Sequence, residues 1–209
     1  MAADFHKPTR FTPSRFDGYF GGEDPAILSR TTHDTASALL SRVRDDPDPE
    51  VIERLVAYTD ANGIDAIAEL WSHSSARSLP GALWRIYLLR ALIRQDPDGT
   101  SYYYSRGAEV STTIDTVVAG AATPVGAAEV VDVADRILRG LFAGDFAVAL
   151  DRAAAFARVT AIGMTEVADA ADATDDIRAG ELTRRALRLS ELAAELTSCA
   201  RLWRTDSLD

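Results

Sequence analysis

The chain of 209 residues has one cysteine, Cys199, one lysine, Lys7, two methionines and three histidines. A lone cysteine excludes an intrachain disulfide and a cysteine-based zinc site, so Cys199 reads as a buried structural thiol. The histidines, His6, His33 and His73, leave little for metal chemistry. No Glu-x-x-His pair occurs, so the di-iron bundle pattern is missing. Glu69 and His73 stand four apart on one helical face, and two ligands do not make a metal site. There is no P-loop, no Gly-x-Gly-x-x-Gly and no Gly-x-Ser-x-Gly. No cofactor, metal or catalytic constellation is therefore expected. No run reaches 18 apolar residues, so no membrane span is expected. A basic start, apolar run and small-residue cleavage site are also missing, which makes the cytoplasm the expected address.

Thirty-two acidic against 22 basic residues set the net charge at −10 and the pI near 4.8. Such a field repels phosphate backbones and disfavours wholesale binding of nucleic acid or anionic membranes. With 47% hydrophobic and 26% charged residues the composition is that of a globular domain. A chain of this length buries roughly 70% of its unfolded surface and needs no covalent staple. The remaining 21 basic residues are arginines, the better forks for carboxylates and phosphates.

Residues 1–23 read as an irregular arm with aromatics and bases interleaved, among them Phe5, Lys7, Arg10, Phe11, Arg15 and Phe16. Such an arm stacks on single-stranded nucleic acid or tucks onto the helical body. The acidic remainder favours the second. Residues 24–209 read as one all-helical domain. Asp24-Pro25 and Asp48-Pro49 are helix starts, with proline placed where no hydrogen bond is lost. Val51, Ile52, Leu55 and Val56 face a core, and Asn62-Gly63 ends that helix. Ile64, Ile67 and Trp71 mark a short one. Ser78 with Pro80 opens a helix to about Gln95 that is apolar on nearly every face, which predicts a central position. Trp84, Leu88 and Leu92 are expected in the core, with Leu88→Ala costing about 2–5 kcal/mol. Asp96-Pro97-Asp98-Gly99 reads as a turn, and Val110, Ile114, Val117 and Val118 as one helical face. Asp132 with Arg136, and Asp135 with Arg139, are acid-before-base pairs four apart. Gly144-Asp145 caps an alanine-rich helix running to Met164.

From about Asp175 to Arg204, Leu182, Ala186, Leu189, Ala193, Leu196, Ala200 and Trp203 recur at spacings of four and three, a long seam. At about 30 residues this helix spans roughly 45 Å, which suits either a two-fold dimer or the closing face of one bundle. The acids Asp169, Asp172, Asp175 and Asp176 lead into its positive end. Nothing alternates at period two. The expected fold is all-α, a multi-helix bundle or short HEAT-like array of about eight helices. Arg-x-Asp-Pro-Asp recurs at Arg44 and Arg94, which reads as reuse of Asp-Pro turn chemistry rather than as the repeat of such an array.

The segment Leu79-Pro80-Gly81-Ala82-Leu83-Trp84-Arg85-Ile86-Tyr87-Leu88-Leu89-Arg90, followed by Ile93 to Pro97, resembles the core of an actinobacterial family of helical cytoplasmic proteins. Ala134 to Gly140 and Gly144 to Leu150 resemble it too. The resemblance implies a lineage and a helical fold, and it carries over no catalytic residue.

Arg85 and Arg90 interrupt an apolar helix, and a buried guanidinium requires partners. With a hydroxyl from Tyr103, they are the candidate grip for an anionic ligand. Alternatively, each pairs with an internal carboxylate and fastens helices. The expected function is non-catalytic: a helical protein-interaction or regulatory protein, whose partner is another protein or a second copy of itself. The alternative is a small anionic-ligand binder or enzyme built on Arg85, Arg90 and Tyr103.

Overall fold

The computed structural model describes residues 25–45, 50, 54, 71–121 and 125–208. The arm of residues 1–23, the Asp24 cap, Glu69 and most of the two helices expected from Asp48 to Trp71 lie outside them; Trp71 itself is helical and buried. Seven helices are described and no strand among them: α1 Pro25–Asp45, α2 Leu79–Gln95, α3 Pro97–Val110, α4 Asp115–Ala119, α5 Ala127–Ala143, α6 Phe146–Ala171 and α7 Asp176–Arg204. The fold is an all-α bundle.

The starts follow local chemistry. Ser78 Oγ accepts from Gly81 N–H at 3.2 Å, Asp145 Oδ1 from Val148 N–H at 3.1 Å and Asp175 Oδ1 from Arg178 N–H at 3.1 Å. Each satisfies a donor that the first helical turn leaves open. Asp96 does the same for Gly99 N–H at 2.9 Å. The stretch expected to be a turn is therefore a one-residue corner, and α3 starts at Pro97.

The centre of the bundle is α6, not α2. Ala153 to Ala157 have no exposure, and Leu150 and Val159 are equally buried. Alanine lets neighbouring backbones come close on every side, so α6 packs on α3, α4, α5 and α7 together. The α3 crossing is the tightest: a Cβ on Gly163 would fall inside the surface of the Tyr103 carbonyl oxygen and 2.7 Å from Gly107 N. Phe156 stacks on Tyr104 across the same contact, centroids 4.9 Å apart.

The seam of α7 turns inward. Leu182, Ala186, Ala193, Leu196 and Ala200 are at most 4% exposed, and α6 is the helix they meet. This face closes the bundle and is not free for a second copy. Gly180 leaves the helix unbroken. The face expected from Val110, Ile114, Val117 and Val118 is interrupted, because α3 ends at Val110 and α4 begins at Asp115. Ile114 and Val117 are exposed.

Only Ala119 of α4 is buried, and an ion pair compensates. The Arg158 guanidinium of α6 grips Asp115, with Nη2 to Oδ1 at 2.6 Å and Nε to both oxygens at 3.1 Å. Its Nη1 reaches Thr197 Oγ1 of α7 at 3.0 Å. The hydrogen bond from Arg158 holds the Asp115 carboxyl below its ordinary value, against the opposing effect of burial. A carboxylate lowered on folding adds stability that is present above its unfolded pKa, about 4, and is lost as pH falls through the folded value. The stability difference between the natural chain and Asp115→Asn is therefore expected to be constant near neutrality and to shrink below about pH 4, measured by urea unfolding across pH. A difference independent of pH down to acid unfolding would remove this role.

Candidate functional site

On α2 the buried face is Leu79, Leu83, Ile86, Leu89, Arg90 and Ile93. Trp84 and Leu88 are half-buried, and Leu92 is 43% exposed. Trp84 packs, half-buried, against the core; the expectation that Leu88 and Leu92 fill the core is corrected. Leu88 and Leu92 form a wall of a groove, and their apolar character serves that opening.

The groove lies between α2 and α7, above α6. The first two run antiparallel and meet near the start of α2, where Cys199 Sγ lies 3.2 Å from Ala76 O. Burial pushes that thiol up to about 11. One turn on, Arg85 Nε pairs with Glu195, while its Nη1 donates to Gly81 O at 3.0 Å. Beyond this pair lies a cavity of about 700 Å³. Leu88, Leu89, Leu92 and Ile93 line one side, Leu189 and Leu192 the other, and Phe156, Thr160 and Met164 of α6 the floor. Thr160 adds little polarity, since its hydroxyl donates to Phe156 O at 2.9 Å.

Polar groups collect where α2 turns into α3: Gln95, Asp96 and Thr100 face Arg185 and Arg188 of α7. Asp96 is occupied as the cap of α3, and Thr100 Oγ1 donates back to Asp96 O at 2.7 Å. Arg185 lies over the Tyr103 ring, 5.9 Å from its centroid, and Arg188 Nε is 3.4 Å from Arg184 O. Among the described residues neither Arg185 nor Arg188 forms an ion pair with a carboxylate. The groove thus has an apolar interior and a cationic edge.

The three sequence candidates are not brought together. Arg85 faces Glu195 on α7. Arg90, 3% exposed, faces Asp135 on α5 at 2.8 Å, and Arg94 reaches the same carboxylate at 3.4 Å. Asp135 thus binds two arginines of α2, and Asp132 and Arg136 make the expected pair within α5 at 2.9 Å. Tyr103 sits beside Arg185, with Tyr102 edge-on at 5.5 Å. None of the three lines the groove; Arg85 lies one turn before Leu88 and Leu89 on α2, and the Tyr103 ring lies 5.9 Å from the Arg185 guanidinium. The residues missed were Arg185 and Arg188. Their signal was Arg184-Arg185-Ala186-Leu187-Arg188, three arginines in five residues of a chain at −10.

A second, shallower depression of about 520 Å³ lies between α6 and α7, lined by Arg158, Ser190, Thr197, Ser198 and Arg201 among others. Its Arg158 is held by Asp115.

The groove revises the expected cost at Leu88. A half-buried wall residue leaves no closed cavity on truncation, so Leu88→Ala is expected to lose about 1 kcal/mol or less, and fully buried Leu196→Ala about 2–5 kcal/mol. Urea unfolding of the two variants checks this; equal losses would return Leu88 to the core.

Comparison with protein families, with curated proteins and with solved structures gives no match.

Proposed function

We propose that this chain is a non-catalytic helical binding protein, and that the groove between α2, α6 and α7 takes a small ligand with an apolar body. One observation carries the reading: beyond the Arg85–Glu195 pair, leucine, isoleucine and phenylalanine side chains surround a cavity of about 700 Å³. That size, with apolar walls and a few polar groups at one end, is typical of small-molecule sites. A regulatory role follows if ligand occupancy alters how α2 and α7 are spaced. The reading narrows the interaction role to a small ligand because the apolar surface is a concave cavity with a few polar groups at one end.

The test uses a neutral fluorescent probe, N-phenyl-1-naphthylamine. It is expected to bind saturably, one per chain. Leu92→Trp and Leu189→Trp, which fill the groove from opposite walls, should abolish binding. Leu187→Trp, at an exposed position outside the groove, should not. Absence of saturable binding, or binding undiminished in both filled variants, overturns the proposal.

A further inference from the structure

The geometry points to the chemical class of that ligand: a single-headed anion on an apolar body about the length of the groove. This inference rests on the proposed binding role and goes beyond it by fixing charge and size. Three observations carry it. First, Arg185 and Arg188 stand one turn apart at the cavity edge, and no described carboxylate pairs with either. Arg85, Arg90, Arg94, Arg106, Arg136, Arg158 and Arg204 each hold a carboxylate; what sets Arg185 and Arg188 apart from the other arginines is that they line the apolar cavity together. Second, the Arg185 guanidinium lies 5.9 Å from the Tyr103 ring centroid, a cation–π contact that uses none of its N–H donors. Third, the one acid at the edge, Asp96, accepts the Gly99 N–H and Asp96 O the Thr100 hydroxyl, so that corner is tied into the start of α3.

Length follows from register. Leu88 to Gln95 on α2 and Arg185 to Leu192 on α7 each cover about 10 Å at helical rise. An extended chain of roughly eight to ten carbons spans this distance. Its anionic head would lie between Arg185 and Arg188 and its tail against Phe156 and Leu192, toward the Arg85–Glu195 end. A carboxylate is the simplest head, and a phosphate or sulfate monoester offers the same fork-accepting oxygens.

Displacement of the neutral probe from the full-length chain by decanoate, decyl phosphate, decanol and decyltrimethylammonium tests the inference. Decanoate and decyl phosphate should displace it at concentrations about tenfold or more below decanol, the advantage of a charge-assisted contact, and the cation should be weakest. The double variant Arg185→Ala/Arg188→Ala should bring the anions to the level of decanol and leave decanol unchanged. If the probe binds but the anions gain nothing over decanol, the inference fails and the binding role stands. If the advantage survives the double variant, the head site lies elsewhere and the inference fails. If the probe does not bind, the proposed function itself fails. Light scattering that shows a dimer which Leu92→Glu splits would place a second copy on the groove and overturn both.

Discussion

Gly163→Ala is expected to destabilise the fold by at least about 3 kcal/mol, with a fall in Tm of roughly 6–12 °C for a chain of this size. The reason is where one methyl group would go. It would enter the Tyr103 carbonyl oxygen and stand 2.7 Å from Gly107 N, so α3 and α6 would have to separate. Backbone atoms in two packed helices cannot yield as a side-chain tip can. Gly107→Ala meets the Val159 carbonyl from the other side of the crossing, with Gly163 N at 2.9 Å, and should cost as much. Gly180 supplies the opposite sign. A Cβ there has nothing within 4 Å, so Gly180→Ala should stabilise α7 by about 0.5–1 kcal/mol. Thermal and urea unfolding of the three variants decides the point. A loss under about 1 kcal/mol at Gly163 would mean that α3 and α6 do not cross so closely.

The second large effect belongs to Asp135. Arg90 is buried beside it at 2.8 Å, with the Arg90 side chain 4% exposed. Truncating one partner of a buried pair leaves the other charge without its counterion. Asp135→Ala is expected to cost about 3 kcal/mol or more, whereas Arg94→Ala, whose side chain is 36% exposed, should cost under about 1 kcal/mol. Replacing both members by apolar residues, Arg90→Met with Asp135→Leu, should recover much of the loss. If Asp135→Ala is as mild as Arg94→Ala, the pair does not fasten α2 to α5.

Helix starts were legible in the sequence because they depend on a few adjacent atoms. Ser78, Asp145 and Asp175 cap helices as their spacing to the following backbone donors requires. The all-helical class followed from periodicity, and so did the extent of α7. Which helix sits in the middle was misread. The run of large aliphatic side chains drew attention to α2, while the centre is α6, on average the more hydrophobic of the two, whose alanines permit close approach on all sides. The Gly107–Gly163 crossing joins residues far apart in the chain, and neither glycine carries a local turn signal. The site was hidden for the same reason. Leu88 and Leu92 read as core because no pattern on a single helix can report a cavity beside it. Arg85 and Arg90 drew notice as charges within an apolar helix, and the structure spends both on Glu195 and Asp135. Arg185 and Arg188 belong to a cluster of three arginines in five residues, a signal that acquires a meaning only with the groove beside it.

Whether the groove between α2 and α7 binds a ligand is read most directly by methyl NMR of the full-length chain, labelled at leucine, valine, isoleucine and methionine, during titration with decanoate. The expected result is a saturable shift of Leu88, Leu92, Leu189, Leu192 and Met164, which line the groove. Leu141 and Leu150, buried elsewhere in the bundle, should stay in place. Shifts spread evenly over the bundle, or none at the five groove residues, would contradict a binding site between these helices.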